Sequence, residues 1–147
     1  MQSLNLPPFG YKFTEIDGKP HIFDVIRRKY IFLTPEEWVR QHVLHWLIQY
    51  AQYPKSLIKI ESGLKYNRLA QRTDMVVYDR AAAPFLLVEC KAPDVSLSQD
   101  VLAQALRYNA VLKAPYLLIT NGLSHFVFAI KDGQAIPIDS LPVIGDL

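Results

Sequence analysis

The sequence predicts one α/β domain: a central mixed sheet of about five strands with a helix on each face. Three observations predict it. Periodic segments follow in the order helix, three strands, helix, two strands, an αβββαβ core with one strand added. One strand, Phe85–Lys91, is continuously apolar from Phe85 to Val88, the pattern of a central strand covered on both faces. Finally, the chain has 147 residues, 50% of them hydrophobic, enough to bury roughly two-thirds of the unfolded surface without covalent staples. The expected division is an N-terminal hairpin or arm (1–30), a core (31–130) and a C-terminal extension (131–147).

The elements follow in order. Tyr11–Ile16 and His21–Ile26 flank Asp17-Gly18, a hairpin signal at the edge of the fold. A helix starts sharply at Thr34-Pro35-Glu36-Glu37: threonine caps, proline suits the first turn, and Glu37 completes a reciprocal capping box. Val39, Val43, Leu44, Trp46, Leu47 and Tyr50 keep helical spacing, so it runs to about Tyr50. Leu57–Glu61 is a short strand, followed by a polar loop around Gly63–Leu69. Asp74–Asp79 and Phe85–Lys91 are strands joined by residues 80–83, and Pro93 ends the second. Ser96 or Ser98 caps a second helix carrying Val101, Leu102, Ala105, Leu106, Ala110 and Val111. Tyr116–Thr120 and His125–Ile130 are strands around an Asn121-Gly122 turn, and three apolar pieces between Ile136 and Leu147 suggest a docked tail.

Composition excludes several classes. One cysteine, Cys90, allows no internal disulfide and too few thiols for a zinc or iron–sulfur centre, which fits a reducing cytosol. No apolar run approaches the roughly 20 residues of a membrane span. Met1–Tyr11 lacks a basic stretch followed by an apolar core, so no signal peptide is expected and the chain is read as cytoplasmic. Net charge is +2, but residues 1–72 carry 11 Lys/Arg against 6 Asp/Glu and residues 73–147 carry 5 against 8. That asymmetry is compatible with a polyanion-binding face, with solvated surface charge as the plainer reading.

The chemistry concentrates where charged residues close the most apolar strand. Alternation puts Glu89 and Lys91 on one face and Cys90 on the other. If Asp79 pairs with Pro84, continuing the pairing places Asp74 directly opposite Glu89 on the same face. Facing carboxylates repel, and a shared proton, a nearby cation such as Lys91 or a bound metal ion relieves that. A divalent ion held by both acids, with the Cys90 carbonyl as a third oxygen, suits magnesium or manganese rather than zinc.

Asp74 followed by Glu89-Cys90-Lys91 across a hairpin resembles the core of the PD-(D/E)XK nucleases. Gln104-Ala105-Leu106-Arg107-Tyr108 resembles the Gln-x-x-x-Tyr signature of their RecB-like branch. Arg27-Arg28-Lys29-Tyr30, Thr34 through Gln41, Arg72-Thr73-Asp74 and Thr120-Asn121-Gly122 are similar to the N-terminal nuclease domain of type I restriction R subunits. More narrowly they are similar to small stand-alone relatives of that domain, over about residues 25–130. Threonine precedes Asp74 where the motif nominally has proline, and no Gly-x-x-x-x-Gly-Lys-Ser/Thr loop occurs, so any ATP-driven motor would be on another polypeptide.

The resemblance implies a restriction-endonuclease-like fold and magnesium-dependent hydrolysis of DNA phosphodiester bonds. Asp74 and Glu89 would hold the ion, and Lys91 would stabilise developing charge or orient the attacking water. Glu37 on the first helix either reaches the site as a further ligand, supported by Gln41 one turn on, or serves only as the cap. Gln104 would position Lys91 or the phosphate, with Tyr108 on the same helix face; a buried hydrogen-bonded pair is the alternative. Arg27, Arg28, Lys29, Arg40, Arg68 and Arg72 are candidate phosphate contacts, and Tyr108 is a further candidate DNA contact. Expected partners are DNA and separate restriction or helicase subunits, with a homodimer suited to cutting both strands. Asn121-Gly122 reads as a turn, the four histidines form no ligand cluster, and Cys90 is an inert core thiol. Two rivals stand beside the nuclease: a non-cleaving nucleic-acid-binding or assembly module with the same fold, and a two-carboxylate glycosidase, which has no use for Lys91.

Overall fold

The Asp17-Gly18 turn has both residues at positive φ, 53° and 75°, the combination that matches the twist of a two-residue hairpin. In the computed structural model, which describes residues 1–60 and 75–145, this turn joins β1 (Phe13–Ile16) to β2 (Lys19–Asp24). The predicted hairpin gains a third strand, β3 (Lys29–Phe32), antiparallel to β2, and the three form a sheet of their own. Asp24 causes this. Its carboxylate accepts the backbone N–H groups of Ile26 and Arg27, which ends β2 two residues earlier than predicted and reverses the chain, with Arg28 at φ 58°. Ile22 packs inward from this sheet against Leu33 and Trp38.

Helix α1 (Pro35–Gln49) begins as the sequence predicts, with Thr34 Oγ accepting the Glu37 N–H at 3.0 Å. The reciprocal half of the predicted box is not made, because the Glu37 carboxylate turns to two arginines and a glutamine instead.

A second, six-stranded sheet follows: β4 (Ile58–Ile60), β5 (Met75–Tyr78), β6 (Pro84–Cys90), β7 (Tyr116–Thr120), β8 (His125–Lys131) and β9 (Gln134–Ile138), hydrogen-bonded in that order. Helix α2 (Gln99–Leu112) connects β6 to β7, which pair in parallel. The core order α1-β4-β5-β6-α2-β7 is the predicted one, and a strand from the C-terminal extension raises the predicted five strands to six.

One helix covers each face. Leu86, Val88 and Cys90 pack with Val39, Val43, Leu44 and Leu47 of α1, whereas Leu87, Val76, Leu117 and Ile119 pack with Ala105 of α2. The predicted stripe on α2 fails at its end: Ala110 and Val111 are exposed, Val111 by 86%. Asn109 takes the buried place, its amide bracketing both the N–H and the C=O of Ala114 at 3.0 and 2.9 Å. The tail docks on the α1 side through Leu141 and Ile144, and Tyr53 donates its hydroxyl to the Pro142 carbonyl. Among the described residues no helix is long and apolar enough to cross a membrane.

Candidate active site

The β5–β6 hairpin positions the central acid. Met75, Val76 and Val77 pair with Val88, Leu87 and Leu86, the predicted register. At the tip the prediction fails, because Tyr78 rather than Asp79 stands opposite Pro84 and the register shifts between Val77 and Tyr78. Proline brings no N–H to a ladder, and the Asp79 carboxylate collects the amides of Ala81 and Ala83 within the turn. The resulting bulge restores the predicted pairing for Met75–Val77. Asp74, the predicted partner of Glu89, lies outside the described residues, as do Arg68 and Arg72.

Glu89 follows Val88, and Lys91 folds back on it with Nζ 3.5 Å from a carboxylate oxygen. Their side chains are 16% and 27% exposed, so the pair sits at a partly wet rim. The Lys91 N–H donates to Thr120 O at 2.9 Å, fastening the end of β6 to β7. Thr120 is itself braced, its hydroxyl 2.7 Å from His125 Nδ1 and accepting the Gly122 N–H. Asn121 is the expected turn residue, Oδ1 accepting the Leu123 and Ser124 N–H groups, and its Nδ2 also ties the turn to Val95 O. The Cys90 side chain is buried on the α1 face, so only its backbone carbonyl is left to serve the Glu89 side.

Glu37 faces side chains of α1 and of the β2–β3 turn. One oxygen accepts from Arg40 at 2.5 Å, the other from Gln41 at 2.9 Å and Arg27 at 3.4 Å. Gln41 thus supports Glu37 as the one-turn spacing suggested, while Glu37 makes no hydrogen bond or ion pair with Glu89 or Lys91. The organiser here is Asp24, which sequence reading missed. Fully buried, it accepts from Arg27 Nε and Nη2 at 3.1 and 2.9 Å and from Gln41 Nε2 at 2.9 Å, besides the two backbone amides. Burial alone would raise its pKa; the Arg27 amide and charge, with the Gln41 bond, outweigh this and hold it below the ordinary carboxylate value. The only cue was an acid ending an apolar strand three residues before an arginine.

Arg27 and Arg40 therefore have internal anions, Arg40 also pairing with Glu36 at 2.7 Å. Arg28 and Lys29 are exposed. Gln104 is exposed on α2 and Tyr108 is half-buried against the α2-side core, so the alternative of a buried polar pair does not hold. His42 bonds Trp38 O through Nδ1, and His45 stacks on Phe9 with centroids 4.2 Å apart, so both are packing residues. Burial pushes both imidazoles below their ordinary pKa.

Among the described residues, no three His, Cys, Asp or Glu side chains converge as metal ligands. Glu89 is the acid with hard oxygen at a partly open rim, and it fits one half of a magnesium or manganese site. Glu37, whose two oxygens already face two guanidinium groups, fits poorly as another ligand.

Comparison with known proteins gives two results. No curated protein matches the chain. The family model for the type I restriction enzyme R protein N terminus matches residues 35–142, from the first residue of α1 through β9, and the chain belongs to that family, whose name ties it to restriction.

Proposed function

We propose that the chain is a magnesium- or manganese-dependent deoxyribonuclease that hydrolyses DNA phosphodiester bonds in the setting of restriction. The observation that carries this reading is the Lys91 ammonium held 3.5 Å from Glu89 where β6 leaves the sheet. Family membership supports it, and so does the β5–β6 register, since Met75 pairs with Val88 as the sequence argument for the site requires.

In this reading Asp74 and Glu89 hold the ion, with the Cys90 carbonyl as a further oxygen. When bound, a divalent ion supplies Lewis acidity that polarises the scissile phosphate and makes water nucleophilic at neutral pH. Lys91 places a positive charge where the phosphoryl group becomes more negative, and its ammonium donors orient the incoming water. Gln104, exposed on α2, positions Lys91 or a phosphate oxygen, with Tyr108 one turn on. Arg28 and Lys29, together with Arg68 and Arg72, draw the DNA backbone. Any motor belongs to separate restriction or helicase subunits, a cytoplasmic setting suits the reaction, and paired copies suit a double-strand cut.

The test compares the parent chain with Lys91→Ala and Glu89→Gln on plasmid DNA in Mg²⁺ or Mn²⁺. Cleavage should fall about 100-fold or more in both, while DNA affinity in chelator stays unchanged. Mn²⁺ binding followed by electron paramagnetic resonance should be lost in Glu89→Gln and kept in Lys91→Ala. Undiminished cleavage by either variant overturns the site, and a parent chain that binds DNA without cutting it leaves the non-cleaving binding module.

A further inference from the structure

We propose that the solvent-facing side of the β1–β2–β3 sheet is a stacking platform for single-stranded nucleic acid. This sheet lies before residue 35, outside the family match, and the proposed hydrolysis uses only the cations Arg28 and Lys29 at its β2–β3 turn, none of its rings.

Register and alternation define the face. Ile22, Phe13 and Ile31 stand opposite one another and turn inward, where Ile22 is buried and Phe13 packs near Trp38. The intervening residues form the outer side in rows: Phe23 beside Tyr30, then Thr14, His21 and Phe32, then Ile16 and Lys19. Lys12 completes the first row, since the Phe23 N–H donates to Lys12 O at 2.9 Å. Three of the aromatic residues, Phe23, Tyr30 and Phe32, thus share one face with His21. Phe32 is 48% and Tyr30 38% exposed. Centroids lie 5.3 Å apart for Phe23–Tyr30 and 5.7 Å for His21–Phe32, both edge to face.

Charge selects the occupant. Lys12 Nζ lies 5.7 Å from the centre of Phe23, and Lys19 Nζ 5.9 Å from that of Phe32. Arg28 adds a further exposed cation at the β2–β3 turn. The outer rows contain no carboxylate: Glu15 alternates to the other side, Asp17 sits in the hairpin turn, and Asp24 is buried. Exposed rings interleaved with ammonium groups and free of acids suit bases and phosphates together. A protein-binding core would instead be depleted of lysine. Bases in a duplex stack on one another and offer no ring face, so the fit is to a single strand. Two rows lie about 7 Å apart along the strands, which lets two successive bases each meet a ring.

The experiment is fluorescence anisotropy with labelled 15-nucleotide oligo-dT, oligo-rU and a duplex of equal length. It uses the whole chain in EDTA, so that cleavage and metal binding play no part and the nuclease reading can fail without touching this one. Tyr30→Ala/Phe32→Ala should weaken single-strand binding by about tenfold or more and leave duplex binding unchanged. Phe32→Trp should retain the affinity, and Phe32→Leu, which keeps apolar bulk without the ring, should lose it severalfold. Lys12→Gln/Lys19→Gln should reduce the salt slope by about 1.4, two single-strand phosphate contacts. Unchanged binding in folded Phe32→Leu overturns the proposal. So does a parent chain that binds neither oligonucleotide, whether or not the face then proves to pair copies of the chain in sedimentation.

Discussion

Replacing Asp24 with asparagine tests whether the buried carboxylate organises the start of α1. The side chain is isosteric, so the change is one of charge and donor count. Asparagine keeps one oxygen for the Ile26 and Arg27 amides and turns an NH₂ group toward Arg27 Nε, Arg27 Nη2 and Gln41 Nε2, three donors that now face a donor. Each buried polar group left unpaired costs about 1–3 kcal/mol, and breaking a buried ion pair from one side costs about 3–5 kcal/mol. Two features pull toward the lower end. The Arg27 side chain is 25% exposed and can regain water. Gln41 is fully buried with Oε1 unpartnered, and rotating its amide would offer that oxygen to the new NH₂ at the expense of its bond to Glu37. A loss of about 3 kcal/mol is therefore expected. With a urea slope near 2 kcal/mol per molar, the midpoint falls by about 1.5 M. Urea unfolding followed by Trp38 and Trp46 fluorescence measures it, and a cycle with Arg27→Met should show coupling above about 1.5 kcal/mol. A loss below about 1 kcal/mol, or additive effects, would refute the assignment of Asp24 as organiser.

Two further predictions concern stability. His42 and His45 are held below the ordinary histidine value of 6.5, so between their native values and 6.5 the unfolded chain binds more protons. Stability should therefore fall as pH drops from 7 to 5. Asp24, held below 3.8, contributes a separate loss at lower pH, through its own native value. Urea melts from pH 8 down to about pH 2 measure both, and His42→Gln/His45→Gln should flatten the limb between 5 and 7; a limb just as steep would contradict the burial of these rings. Gly122→Ala should lower the melting temperature by about 3–8 °C, the equivalent of roughly 1–2 kcal/mol. Gly122 sits at φ +86°, and an added Cβ would lie 3.0 Å from Leu4 and 3.1 Å from Val39. An unchanged melting curve would show that this turn relaxes freely.

What the sequence reveals of the fold is what local chemistry decides. Asp17-Gly18 announces its hairpin because few residue pairs tolerate two positive φ values, and Thr34-Pro35 announces α1 because an orphaned N–H must be capped. The β5–β6 register was legible for a less direct reason. The tip turns one residue earlier than predicted, and without compensation every side chain of β5 would face the wrong way. The bulge between Val77 and Tyr78 restores the register, so the apolar pattern of Met75–Val77 against Leu86–Val88 outweighs the turn. β3 stayed hidden because the residue that creates it, Asp24, acts by a side-chain bond to amides two and three residues on. The end of α2 was misread because an asparagine that satisfies two backbone groups can occupy a buried site that hydropathy assigns to Ala110 or Val111.

The site divides along the same line. Glu89 and Lys91 were legible as a pair because strand alternation alone puts them on one face. Glu37 was ambiguous because Thr34-x-x-Glu37 is a valid cap and a helix-borne acid is a valid ligand, and no local rule separates the two. The structure takes neither path in full: threonine caps, and the carboxylate instead balances Arg27 and Arg40. Charge balance made that choice, in part through Arg27, ten positions upstream, which propensity and periodicity do not connect to Glu37. The consequence reaches the chemistry. In the proposed reading an acid already neutralised by two guanidinium groups has little field left for a divalent ion, whereas Glu89 keeps a partly exposed rim position beside Lys91. Removing Arg27 and Arg40 together should free Glu37 for metal only if α1 holds its place without them, and the five bonds converging on Asp24 argue that it does not.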